Sequence, residues 1–151
     1  MTVTRTNFDA TVANSYMVLI DWGAPWCEPS RRFAEVFAAS ADLHPEIVYG
    51  TVDIDVEQQL TEMAGVCAYP TLMAFREGLL VYSEAGAMSA ETMEELVQQI
   101  RWLDMDQFRR ELAQLSASVS VGEPEQPPTT FSYQKRAGHA AVTDRYGWPG
   151  L

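Results

Sequence analysis

With 151 residues, 47% of them apolar, the chain fits one domain of ordinary size and carries enough nonpolar surface for a core. Its 21 acidic and 10 basic side chains leave a net charge of −11, which argues against nucleic acid or an anionic membrane surface as partner and favours basic polypeptides. Two cysteines are too few for a disulfide-stapled secreted domain, and the longest apolar run near the start, Tyr16 to Ile20, is too short for a signal-peptide core or a membrane span; the cytoplasm is the expected location.

Tyr16 to Ile20 reads as a central strand buried on both faces, ending at Asp21 before a turn-rich "GAP". Residues 27 to 43 read as a helix: Phe33, Val36, Phe37 and Ala41 recur at helical spacing, and Pro29 falls in the first turn, where its missing N–H costs nothing. "EIVYGTVDID" gives a second strand, and "VEQQLTEMAG" a short helix closing on Gly65 as C-cap. "TLMAFREGLLVYSEAG" reads as an antiparallel hairpin turning at Glu77 and Gly78. Ser89 is an N-cap candidate for a helix whose stripe is Met93, Leu96, Val97, Ile100 and Leu103. A parallel start with an antiparallel finish predicts an α/β fold, a mixed sheet of about four to five strands with helices on both faces.

The apolar stripe shifts after Leu103, and Asp104 with Gln107 has capping-box spacing. The expected organisation is a domain over 1–103, an appended helix over 104–116, and an extended or weakly ordered tail over 117–151, rich in Pro, Gly, Ser and Thr. Phe131, Tyr133, Tyr146 and Trp148 lie in that tail. The acidity belongs to the domain: residues 1–103 hold 15 acidic and 5 basic side chains. His44 and His139 have no cysteine near them in sequence, so no metal site is expected.

The chemistry concentrates at "APWCEPS", residues 24–30. Cys27 opens a helix directly after the central strand, where unpaired N–H groups and the helix dipole favour a thiolate, the nucleophile of thiol–disulfide exchange. Ser30, one turn on, can bring a hydroxyl toward the sulfur but cannot attack a disulfide. A buried structural cysteine is the alternative reading.

"LIDWGAPWCEPSRRF" resembles the active-site segment of the thioredoxin family, where a strand ending in Asp leads to a Trp-Cys-Gly-Pro-Cys motif at a helix start. "VDID", "GVCAYPTLMAFREG" and "VYSEAGAMSAETMEELVQQI" resemble that family's following strand, cis-proline strand, hairpin end and last helix, so the likeness covers residues 3 to about 103. The resemblance implies a thioredoxin-like fold. It also implies that Cys27 is the attacking thiol, Trp26 the aromatic wall beside it, and Asp21 a buried carboxylate able to relay a proton. Tyr69 and Pro70 would be the cis-proline pair that meets an extended substrate, and Gly86 would help floor the groove.

The chain departs from the family pattern at four places. Ser30 replaces the second cysteine, Glu28 replaces the glycine after the first, Gly23 stands where a second tryptophan is usual, and Thr51 stands where a lysine often pairs with the buried Asp. Cys67, three residues before Pro70, is a possible second thiol, with an inert buried or half-buried cysteine as the alternative. The expected activity is monothiol exchange with protein or small-thiol disulfides, needing no cofactor but an external thiol or a reductase to recycle Cys27. Two alternatives stay open: a noncatalytic peptide-binding or chaperone-like module, and a dithiol reductase whose resolving cysteine was replaced by engineering at Ser30.

Overall fold

The computed structural model describes residues 1–119. The elements in chain order are α1 (Phe8–Ala13), β1 (Met17–Gly23), α2 (Glu28–Leu43), β2 (Val48–Asp53), α3 (Gln58–Ala64), β3 (Thr71–Arg76), β4 (Leu79–Ala85), α4 (Ala90–Arg101) and α5 (Met105–Val119). The strands form one sheet in the order β2-β1-β3-β4. β1 pairs parallel with β2 and antiparallel with β3, and β3 and β4 form the hairpin. This is the mixed sheet expected from the sequence, with four strands. The turn at Glu77 and Gly78 has positive φ at both residues, 53° and 82°, the geometry that matches the twist of a two-residue hairpin.

Alternation along β1 builds two cores. Val18, Ile20 and Trp22 face a cluster with Phe8 and Val12 of α1 and Leu60 and Ala64 of α3. Met17 and Leu19 face the other cluster, with Phe33 and Phe37 of α2 and Met93, Val97 and Ile100 of α4. Asp21 shares the parity of Leu19, so the carboxylate lies on the α2 side of the sheet. Met105 and Phe108 bury α5 against that second core, and Gln107 N–H donates to Asp104 Oδ1 at 3.0 Å to cap its start. Gln107 Nε2 turns to Glu111 instead of completing a capping box. Helix α5 runs to Val119, so residues 117–119 of the expected 117–151 tail are helical, and the remainder from 120 onward lies outside the described residues.

α1 has no counterpart among the elements expected from the sequence. Only Phe8 and Val12 mark it as apolar, and their burial comes from tertiary contact: the Phe8 ring meets Trp22 at 6.3 Å and Phe75 at 5.7 Å. Tyr16, expected inside the central strand, is 62% exposed, and β1 runs further, to Gly23. The exposed Tyr16 ring has a partner, the Arg76 guanidinium 4.5 Å from its centroid. Leu103 lies past the end of α4 and is partly buried against the second core.

Arg76 is 3% exposed at the end of β3. Its Nη1 donates to the carbonyls of Ile100 at 2.7 Å, Arg101 at 3.1 Å and Leu103 at 3.4 Å, closing the C-terminal end of α4. Carbonyls at a helix C-terminus lack the intrahelical donors that the interior ones have. Arg76→Met keeps most of the stem volume but removes the guanidinium donor from all three, leaving Ile100 O with only the Leu103 N–H at 3.3 Å, and should lower the unfolding free energy by about 3 kcal/mol. Arg76 Nε has no hydrogen-bond partner among the described residues, which holds the loss to that range rather than higher. Thermal unfolding should show a midpoint lowered by roughly 10 °C, and an unchanged midpoint would disprove the capping role.

Candidate active site

The site forms where the C-terminal ends of β1 and β2, the start of α2 and the loop before β3 meet. Cys27 is the N-cap of α2, with extended backbone (φ −94°, ψ 119°) and Pro29 in the first turn. Its carbonyl accepts from Arg31 N–H at 3.0 Å, and its own N–H is held by Ala24 O at 3.1 Å, so the residue is fixed at the mouth of the helix. The thiol is half-buried and free. Sγ lies 4.0 Å from the carbonyl oxygen of Tyr69.

The Tyr69–Pro70 peptide is cis. Pro70 O accepts from Gly86 N–H at 2.7 Å, and Gly86 has φ 111°, a left-handed conformation that suits glycine. Trp26 is 62% exposed and stands edge-on to Tyr69 with ring centroids 6.3 Å apart. Its indole N–H donates to Asp55 Oδ2 at 2.6 Å. Sequence reasoning passed over Asp55, which closes the expected second strand but lies two residues past the end of β2, and carries no spacing signal. The structure therefore brings Cys27, Trp26, Tyr69, Pro70 and Gly86 to one surface.

Asp21 and Ser30 lie beneath that surface, 5% and 4% exposed. Neither Asp21 Oδ1 nor Ser30 Oγ has a hydrogen-bond partner among the described residues. Burial away from water pushes the Asp21 carboxyl up from 3.8 to about 7, because ionisation in a poorly solvated pocket is unfavourable. Thr51 is directly opposite Asp21 in the β1–β2 register and supplies no cation. An ideal Cβ on Gly23 would lie 3.0 Å from Ser30 Oγ, 3.2 Å from Ser30 Cβ and 3.7 Å from Asp21 Oδ1, so any side chain at position 23 would crowd Ser30. A cleft of about 210 Å³ opens beside these residues, lined by Asp21, Gly23, Ser30, Arg31, Thr51 and Asp53 among others.

Glu28, which sets a negative charge next to Cys27, is engaged by Arg31 Nη2 at 2.8 Å. Both are well exposed, so the pair screens the charge more than it stabilises the fold. Cys67 is exposed rather than buried or half-buried, as is Ala68 beside it in the loop between α3 and β3. It is also free, like Cys27. Among the described residues no group of three His, Cys, Asp or Glu side chains could hold a metal ion, and no helix is long and apolar enough to cross a membrane.

Comparison with known proteins agrees with this architecture. "Putative thioredoxin 2" of Streptomyces coelicolor is 36% identical over 117 residues, 78% of this chain and 87% of that protein. A match of that length runs past α4 into α5. A thioredoxin of Alicyclobacillus acidocaldarius is 30% identical over 95 residues, 62% of this chain and 90% of its own. Among solved structures, a point mutant of a Halobacterium salinarum thioredoxin superposes with a TM-score of 0.61 at 26% identity, covering 66% of this chain and 88% of that one. Plasmodium falciparum thioredoxin gives 0.61 at 25% identity, over 65% and 96%. The family model described as Thioredoxin matches residues 1–101, two thirds of the sequence. By sequence and by fold, the chain belongs to the thioredoxin family of thiol–disulfide oxidoreductases.

Proposed function

We propose that this protein carries out thiol–disulfide exchange as a monothiol, with Cys27 as its one nucleophile. The observation that carries the reading is the pairing of a half-buried thiol at the mouth of α2 with a buried serine one turn along, where a second thiol would have to be. In the first step the Cys27 thiolate attacks one sulfur of a client disulfide. A Cys27–client disulfide forms, the client's S–S bond breaks, and the other client sulfur leaves as a thiolate that takes a proton. Ser30 cannot displace the bound client, so an external thiolate attacks the mixed disulfide. That step frees Cys27 and leaves the client sulfur joined to the external thiol.

No cofactor takes part; the electrons come from the external thiol, which a low-molecular-weight thiol pool or a reductase supplies. Trp26 and Tyr69 wall the approach to Cys27, and the backbone beside Pro70 faces the same surface, which suits an extended client segment adding strand-like contacts. The acidic domain favours basic clients, and exchange of this kind fits the reducing cytoplasm.

The test is covalent. Incubated with a disulfide-bonded peptide, the wild type should gain one peptide's mass on Cys27 and release it on addition of a small thiol. Cys27→Ser should lose the adduct completely while its unfolding midpoint changes little, since the thiol makes no strong hydrogen bond. Adducts that persist in Cys27→Ser and map to the exposed Cys67 would overturn the reading.

A further inference from the structure

Cys27 caps one end of α2, and at the other end four side chains meet in a network that thiol exchange leaves unused. We propose that this network is a proton-operated clasp between α2 and α4: neutral His44 holds Arg101, and protonated His44 releases Arg101 and takes Glu46 in its place. The proposal does not depend on how Cys27 turns over.

His44 is the C-cap of α2 and 9% exposed. Its N–H donates to the carbonyls of Ser40 and Ala41, both at 3.2 Å, and its carbonyl accepts from Ile47 N–H at 3.0 Å, so the backbone fixes where the ring stands. Two elements supply charges around it. From α4, Glu94 Oε1 lies 2.8 Å from Nε2 and Arg101 Nη2 lies 3.2 Å from Nδ1. From the turn before β2, Glu46 Oε2 lies 3.7 Å from Nδ1 and also pairs with Arg101. On β2, Tyr49 stands in the field of the same charges, but its hydroxyl is joined to Ser40 Oγ at 2.7 Å and burial pushes its ionisation up. It stays neutral through the range in which histidines titrate.

The chemistry of Arg101 sets the state of the ring. A guanidinium only donates and does not lose its proton, so Nδ1 must be the accepting nitrogen and Nε2 the one that carries hydrogen. That hydrogen points to Glu94, whose carboxyl the His44 bond holds below its ordinary value, a second bond coming from Gln98 Nε2 at 2.9 Å. Glu46 is held low too, by its backbone hydrogen bond first and by Arg101 after it. Both carboxylates are therefore ionised where histidines titrate.

A proton arriving on Nδ1 fills the lone pair that Arg101 uses and sets two cationic donors face to face at 3.2 Å. An acceptor is already at hand in Glu46, and the Arg101 side chain, 31% exposed, has a path into water. The Nε2 bond to Glu94 needs no change. One proton therefore exchanges a link from α2 to α4 for one within the α2–β2 turn, and leaves the two helices joined at His44 by Glu94 alone. Arg76 still holds the Arg101 carbonyl, so the end of α4 itself stays closed.

NMR of the full chain tests the clasp. Long-range proton–nitrogen spectra read which ring nitrogen of His44 carries hydrogen, arginine side-chain spectra read Arg101, and His44→Leu separates the His44 signals from those of His139. At about pH 8.5 the hydrogen should be on Nε2. As the pH falls toward about 5.5, Nδ1 should gain its proton and the Arg101 signals should move to those of a solvated guanidinium with the same midpoint. In Arg101→Met, which removes the cation competing for Nδ1, that midpoint should rise by about half a unit, roughly a threefold gain in proton affinity. Urea unfolding of His44→Leu, Arg101→Met and the double variant adds an energetic readout. The two side chains should jointly favour folding by about threefold at about pH 8.5, and should give no joint gain at about pH 5.5. Hydrogen on Nδ1 at the alkaline end, Arg101 signals that ignore the titration, a midpoint that stays or falls in Arg101→Met, or a joint effect equal at the two pH values would overturn the clasp.

Discussion

Asp21→Asn is expected to stabilise the protein at alkaline pH and to leave its stability unchanged in acid. In the unfolded chain the carboxyl ionises near 3.8, whereas burial holds it protonated in the folded state to about 7. Between those values the unfolded state has released its proton and the folded state has not, so each unit of rising pH lowers the unfolding free energy by about 1.4 kcal/mol. Above 7 both states are ionised and the loss levels off. A rise of roughly three units puts the ceiling near 4 kcal/mol, and solvent entering the cleft will trim it. Asparagine fills the same volume and does not titrate. Urea unfolding of both proteins across this pH range should therefore give curves that meet near pH 4, diverge through the neutral range and run parallel above pH 8. Parallel curves throughout would show that the Asp21 carboxyl titrates in the folded protein as it does in the unfolded chain, with no effect of burial. A buried carboxylate that costs this much stability breaks an ordinary packing rule, which is what a functional position does.

The sequence carried the frame of the fold because its periodicities are strong. Met93, Leu96, Val97 and Ile100 mark one face of α4 and are all buried, Ser89 accepts from Thr92 N–H at 3.2 Å, and Gly65 ends α3 with φ 75°. α1 is illegible because a six-residue helix with two apolar positions has no period to read, and its place is set by Trp22 and Phe75 across the chain. Tyr16 misleads for a related reason. An aromatic continuing an apolar run looks like core, yet its ring is satisfied at the surface by the cation on Arg76, sixty residues away. At the site, the motif located Cys27, Trp26 and Pro70, but no pattern pointed to the Trp26–Asp55 hydrogen bond or to the Gly23 cleft. A hydrogen bond between distant side chains and an open space leave no spacing behind.

Ser30→Cys should change the kind of exchange the protein performs. In the wild type, a client captured on Cys27 waits for an outside thiol, so release is second order and slows as that thiol is withdrawn. The new thiol would sit one helical turn from Cys27, on the same rigid helix, in a position that is 4% exposed. Its attack would be intramolecular, and effective molarities for groups held this way exceed millimolar external thiol by far; release should quicken on the order of 10³-fold or more. Asp21, beside the same position and titrating near 7, is placed to take the proton that the attacking thiol must lose. The gain should therefore be largest above pH 7, where the carboxylate is free to accept, and should shrink in the double variant with Asp21→Asn. Rapid-quench measurement of client release, with and without added thiol, separates the two regimes. Release that stays proportional to external thiol in Ser30→Cys would mean that position 30 cannot reach the mixed disulfide, and the monothiol reading of the site would lose its structural basis.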